Sequence, residues 1–380
     1  MSKNNELTTE RRKIEHIEIC LTNKVESYTS TWFEYVRFVH NPLPEINIDE
    51  IDVSTSFLGR KISLPLMISG MTGGSQISKK INKMLAEVAE QKQIPIGVGS
   101  QRAGIENPKL IETYRIVRDV APTTIVIGNI GAPQISSEYD ISKIIKAIEM
   151  IDADALAIHL NALQEAIQPE GNAKYKGVIE KIGKIQSELD IPIIVKETGA
   201  GLTRNAVKIL KENYGIKIFD VSGLGGTSFS AVEVHRAIRI KDEHKEKLGK
   251  LFWDWGVPTA AALVDLYTFS DEITIIASGG IRTGIDICKS LSLGAHIAGM
   301  ALPFLKVIHG SGVEGAMKFI DFIEDQIKIC MFLIGASSVE KIRKASIFIY
   351  GPLAEWVKCR YGFSEGTKLL SYFMNRSLDA

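Results

Sequence analysis

From residue 63 onward, short apolar runs alternate with amphipathic segments. The runs are Leu64–Ser69, Ile94–Val98, Thr124–Ile130, Ala155–Leu160, Pro192–Val195, Ile216–Val221, Ile273–Ala277 and His296–Met300. They are rich in Ile, Val and Ala, and unbroken apolar runs of this length fit parallel strands covered on both faces. Between them, Ile77–Gln91, Ile141–Ile151, Thr203–Tyr214 and Thr283–Leu293 repeat their apolar positions at helical spacing. Strands alternating with such helices imply βαβ units, and eight units over about 240 residues match the span of a (β/α)8 barrel. The pattern therefore predicts an α/β chain: a (β/α)8 TIM barrel over 63–303 with an N-terminal extension and C-terminal helices.

Residues 1–62 do not join the repeat. They hold Arg11-Arg12-Lys13-Ile14-Glu15-His16, an aromatic-rich stretch and a Pro-containing linker at Asn41–Glu45, and read as an extension able to act as a substrate lid. Residues 304–380 predict helices packing on the barrel, with Val313–Leu333 strongly amphipathic. The widest gap between runs holds an insertion near 239–255, charged and then aromatic (Phe252, Trp253, Trp255). Most such charge runs are solvated faces; the other readings are an element over the mouth or a subunit contact.

Lys+Arg and Asp+Glu are balanced at 45 each in 380 residues, which argues against nucleic-acid binding, since that needs a basic excess. Cys20, Cys288, Cys330 and Cys359 show neither zinc nor disulfide spacing. Free thiols fit a reducing cytosol. No apolar run approaches the ~18 residues of a membrane span, and the polar first residues do not read as a secretory signal. The expectation is a cytoplasmic protein with no membrane partner.

The fourth run delivers His159, Asn161, Gln164 and Glu165 to its C-terminal end, the end where barrel enzymes place their chemistry. Polar groups there must find partners or cost roughly 1–3 kcal/mol each. Lys196, directly after Pro192–Val195, must project into the same mouth. The seventh run ends Ser278-Gly279-Gly280-Ile281-Arg282, and the eighth continues Met300-Ala301-Leu302. Glycine-bearing loops after strands 7 and 8 are a frequent phosphate site, because backbone N–H groups can approach the anion. The sixth run ends in a flexible polar loop with hydroxyls at Ser222 and Thr227. Small residues at the first three run ends (Gly70 to Gly74, Gly99, Gly128) leave room for a flat ring. Amides and hydroxyls suit the edge of a flavin, and Lys196 suits the ring atoms that gather negative charge on reduction. An FMN barrel dehydrogenase of hydroxy acids or dihydroorotate, and a non-catalytic phosphate-binding sensor, remain open on these grounds.

The motifs Arg12-Lys13-Ile14-Glu15-His16, Gly70-Met71-Thr72-Gly73-Gly74, Gly99-Ser100-Gln101-Arg102, His159 to Glu165, Lys196-Glu197, Ser222 to Thr227 and Gly279-Gly280-Ile281-Arg282 occur in that order. Together they resemble the type 2 isopentenyl-diphosphate isomerases over roughly residues 11–350. The resemblance implies interconversion of isopentenyl and dimethylallyl diphosphate, with reduced FMN, NADPH as reductant and Mg2+, in a homo-oligomer (tetramer or octamer). Carried over by position, FMN would contact Gly70, Met71, Thr72, Ser100, Asn129, Lys196, Ser222, Thr227, Gly280, Ile281, Arg282, Ala301 and Leu302. Substrate would contact Arg12 (favoured over Arg11 by its adjacency to Lys13), Lys13, Ser100, Gln101, Arg102 and Gln164. Glu165 would hold the metal; Gln164, His159 and Asn161 would serve the chemistry. His16 reads either as a satisfied structural histidine or as a diphosphate contact. His159 is the one side chain of this set that could act as a general acid; otherwise the reduced flavin carries the proton.

Overall fold

The computed structural model describes residues 3–378. Helix α1 (Lys3–Thr22) opens the chain. Eight parallel strands follow, one for each predicted run: β1 (Leu66–Ile68), β2 (Ile96–Gly97), β3 (Val126–Gly131), β4 (Ala155–His159), β5 (Ile193–Lys196), β6 (Ile218–Asp220), β7 (Thr274–Ala277) and β8 (Ile297–Met300). They close into a barrel in sequence order, and Ala298 and Met300 of β8 pair with Leu66 and Ile68 of β1. Four helices bear on the site: α2 (Ala162–Ile167), α3 (Phe229–Ile240), α4 (Glu243–Leu251) and α5 (Leu302–Ile334).

Inward-facing Met67, Ile127, Ala155, Ala157, Ile194, Ile218, Ile276 and Ile297 fill the barrel. Phe57 and Ile62 join them from a hairpin in which Thr55–Phe57 pairs with Arg60–Ile62. Its two-residue turn, Leu58-Gly59, takes positive φ at both positions, the backbone that joins twisted antiparallel strands most tightly. The extension thus plugs the lower end of the barrel, while α1 lies across the upper end.

Farther along, Val36–Phe38 pairs antiparallel with Ile347–Ile349, so the extension is stitched to the C-terminal region. The predicted amphipathic helix is the second part of α5, which breaks its helical backbone at Gly312 (φ 62°, ψ −160°). The insertion forms α4, packed on α3, followed by an aromatic turn. Tyr28 packs at a tilt against Trp253, and Asp254 accepts the Tyr28 N–H at 2.9 Å and the Thr29 N–H at 3.2 Å. In this structure the insertion fastens the segment that follows α1. Among the described residues no helix is long and apolar enough to cross a membrane.

Candidate active site

A cavity of about 240 Å3 opens at the carboxyl ends of β1–β8. Of the expected flavin contacts, Gly70, Met71 and Thr72 line it from β1, Ser100 and Asn129 from β2 and β3, and Lys196 from β5. Ser222 and Thr227 line it from the loop after β6, and Gly280, Arg282, Ala301 and Leu302 from the loops after β7 and β8. The glycines are required here: Gly279 and Gly280 sit at φ +95° and +77°, and a Cβ on Gly279 would lie 2.1 Å from the Gly223 carbonyl oxygen. Ser222 also takes a left-handed φ of 36°, held by its N–H donating to Asp220 Oδ1 at 3.2 Å.

Lys196 stands at the centre of this wall. Its Nζ donates to the Glu197 carbonyl at 2.7 Å and lies 4.0 Å from Asp220 Oδ2. Burial pushes the Asp220 carboxyl up, against the pull of Lys196. Arg282 is tied to Glu26, its Nη2 donating at 2.6 Å and its Nε at 3.1 Å. Among the described residues, Ser69 Oγ has no hydrogen-bond partner, and it is buried in the same wall. A cationic ammonium, an unsatisfied hydroxyl, side-chain amides and tight glycine loops are the donor set that a flavin mononucleotide requires.

The roof is α1, which presents Arg12, Lys13, His16, Ile17 and Cys20 to the cavity. Arg102 joins them from the β2 side. Lys13 Nζ donates to the Ser100 carbonyl at 3.4 Å. Burial, with Arg12 and Arg102 nearby, pulls the Lys13 ammonium down to about 7. Arg12 pairs with Glu170 at 3.9 Å, and burial lowers it as well. Arg102 is better compensated, by Glu106 at 2.7 Å and Glu138 at 3.8 Å. Three partly buried cationic side chains, two of them depressed by burial and by their neighbours, form a place suited to a multiply charged anion.

Opposite them is the polar group from β4. His159 Nδ1 lies 2.7 Å from Asn129 Oδ1. Burial, then Lys196 and Lys13, lowers its imidazole to about 3, so the ring is neutral near pH 7 and is not an imidazolium acid. Asn161 donates to Gln164 Oε1 at 3.3 Å and to Glu165 Oε1 at 3.0 Å, and its own oxygen accepts from the Tyr175 hydroxyl at 2.9 Å. Gln164 Nε2 donates to Glu233 Oε1 at 2.9 Å. Glu165 also accepts from Gln168 Nε2 and the Asn172 N–H, each at 2.7 Å. Among the described residues no cluster of three or more His, Cys, Asp or Glu is arranged to hold a metal, and Glu165 is the one acidic residue in the cavity wall. A carboxylate offers about four acceptor sites, which leaves Glu165 room for one metal bond.

Two expected contacts lie outside the wall. Gln101 is fully buried, and its amide donates to the Ala147 carbonyl at 2.6 Å while its oxygen accepts the Asn129 N–H at 2.9 Å. The amide is spent on backbone partners and supports Asn129 from behind. The Ile281 side chain is buried in the core; in a loop this tight, the residue between Gly280 and Arg282 turns inward.

Sequence reasoning missed Glu233 and Arg236 of α3. Glu233 accepts from Gln164, from Arg236 Nη1 at 2.7 Å and faces His16 Nε2 at 3.1 Å. Burial would raise this carboxyl, but His16 and Arg236 hold it well below the usual carboxylate range. The available signal was a Glu set inside the apolar run Ala231-Val232-Glu233-Val234.

A family model described as FMN-dependent dehydrogenase matches residues 18–107 and 146–348. The isopentenyl-diphosphate delta-isomerase of Pyrococcus furiosus is 49% identical over 364 residues, 94% of this chain and 91% of that protein. That of Thermococcus kodakarensis is 47% identical, over 97% of both. Among solved structures, the flavin-binding domain of baker's yeast flavocytochrome b2 superposes with a TM-score of 0.62 at 17% identity, covering 87% of this chain and 81% of that one. A mandelate oxidase with (S)-mandelic acid gives 0.59 at 14%, covering 91% and 98%. At these identities the structures show a shared fold alone.

Proposed function

Since the chain belongs to the FMN-dependent dehydrogenase family and, within it, to the isopentenyl-diphosphate delta-isomerases, we propose that it converts isopentenyl diphosphate to dimethylallyl diphosphate by a 1,3-allylic shift. One proton is added at the terminal alkene carbon and one is removed from the carbon two positions away. The double bond moves between them with no net oxidation or reduction.

The observation that carries this reading is the convergence of Arg12, Lys13 and Arg102 on one corner of a cavity whose opposite wall holds Gln164 and Glu165. Arginine meets phosphate oxygens through parallel N–H bonds, and the corner suits a diphosphate better than a monocarboxylate. Mg2+ binds through one or two carboxylates together with substrate phosphates, so Glu165 is a sufficient protein ligand. The side chains facing the hydrocarbon are poor acids: Gln164 does not titrate, and His159 is neutral. Reduced FMN, with NADPH as its reductant, would supply the acid–base couple for the proton exchange. Lys196 would offset negative charge on that ring, Gly280, Arg282 and Leu302 would hold its phosphate end, and Asn129, Ser100 and Thr72 would hold its edge. Gln164, fixed at both ends of its amide, would orient the reacting carbons, with Asn161 and His159 keeping the wall in place. The α1 roof would exclude water from a carbocation-like state.

The test is an NMR assay of isopentenyl diphosphate with FMN, Mg2+ and NADPH, omitting each component in turn. Conversion with all present and its loss without flavin are expected. A flavin-loaded, reduced protein that leaves the substrate unchanged would overturn the proposal.

A further inference from the structure

We propose that Ile17 and Cys20, on the underside of α1, set the length of hydrocarbon the site admits and restrict it to five carbons; this rests on the diphosphate reading above. Lys13, His16, Ile17 and Cys20 follow one another at helical spacing, so they share one face of α1, and all four line the cavity. At 1.5 Å per residue, Lys13 and Cys20 stand about 10 Å apart along the roof. The face changes character over that distance. Its first turn is cationic, with Arg12 and Lys13 above and Arg102 below. Its last turn is apolar, with Ile17 buried and Phe229 and Leu305 in the same wall. Phe229 meets His16 edge-on at 6.4 Å, which marks the boundary.

Cys20 belongs to the apolar part. Burial raises its thiol to about 12, so it acts as a small hydrophobe and not as a nucleophile. Beyond it the surroundings turn ionic again, where Glu26 pairs with Lys306 at 3.8 Å. A diphosphate anchored at Lys13 therefore directs its hydrocarbon along α1 towards Ile17 and Cys20. A longer chain would have to displace those side chains and then strip water from the Glu26 ion pairs, which is costly without new partners.

The experiment compares kcat/KM for isopentenyl diphosphate with that for homologues whose C3 methyl is lengthened to ethyl or pentyl. The proteins are the flavin-loaded wild type, Ile17→Ala/Cys20→Ala and Cys20→Phe. One methylene in an apolar pocket discriminates by roughly 10–200-fold. The double variant should raise the long-to-native ratio at least about tenfold, and Cys20→Phe, which fills the wall instead of emptying it, should lower it. Flavin absorbance confirms that each variant is folded. A wild type that converts isopentenyl diphosphate, with variants that keep the same ratio, overturns this inference alone. A wild type that converts none of the diphosphates overturns the function and the inference together.

Discussion

Gln164 donates its amide to Glu233 across 2.9 Å, and Glu233 in turn is gripped by Arg236 and His16. This connection fixes which end of the amide faces where, since Asn161 supplies the donor to the other end. It also explains a fully buried carboxylate in an otherwise apolar helix face.

Glu233 is a positioning residue, so its loss should appear in turnover and not in flavin binding. Glu233→Gln removes the charge that holds the amide and leaves Arg236 undercompensated. We expect kcat to fall about 100-fold, the scale on which small misplacements act, with KM changed much less and FMN retained. Steady-state kinetics with a flavin-to-protein absorbance ratio checks this. A KM effect with intact kcat would assign Glu233 to substrate binding.

Lys13 makes the site pH-sensitive. Its ammonium is charged below about 7 and neutral above. The pH dependence of kcat/KM reports groups of the free enzyme, so kcat/KM should decline above about pH 7 as the cation is lost. Lys13→Arg keeps its charge throughout and should remove that limb. Persistence of the limb in the variant would assign it to another group.

On the proposed function, Glu165→Gln should weaken Mg2+ affinity and lower turnover together, each by at least about tenfold, since the carboxylate that would hold the metal becomes neutral. The three hydrogen bonds that Glu165 accepts limit the accompanying structural change to a rearranged amide. FMN content should stay near wild type, as Glu165 is remote from the Gly280 and Arg282 loop in sequence and set on a different strand end. A Mg2+ titration of initial rates measures the shift.

Gly279→Ala meets a carbonyl oxygen at 2.1 Å and an unfavourable φ of +95°. The left-handed backbone alone costs about 1–2 kcal/mol for a residue with a Cβ. We expect a lower melting temperature and a reduced flavin content, read by calorimetry and by the absorbance ratio.

The barrel was legible because each strand is a local event. Ile193–Lys196 reads as a covered strand from its own four residues, and the position of Lys196 at its end follows from the fold. The roof was legible as a motif, Arg12-Lys13, on an extension able to act as a lid, but not as one helix laid across its own barrel. What stayed hidden was long-range. Val36–Phe38 pairs with Ile347–Ile349 across some three hundred residues, and no local pattern encodes that choice. The direction of the Gln101 side chain was hidden for a related reason: it depends on partners such as the Ala147 carbonyl, which the surrounding motif does not specify. Glu233 was passed over because a single charge on an apolar helix face becomes informative only once His16 and Gln164 are brought to it.

The position of α1 would have a kinetic consequence. Its residues form the ceiling over both the corner of cations and the Lys196 wall. On the proposed function, flavin and diphosphate would lie under one helix. The order of exchange would then be set by that helix, with the cofactor bound beneath it first and the diphosphate, paired with Arg12 and Lys13, released first.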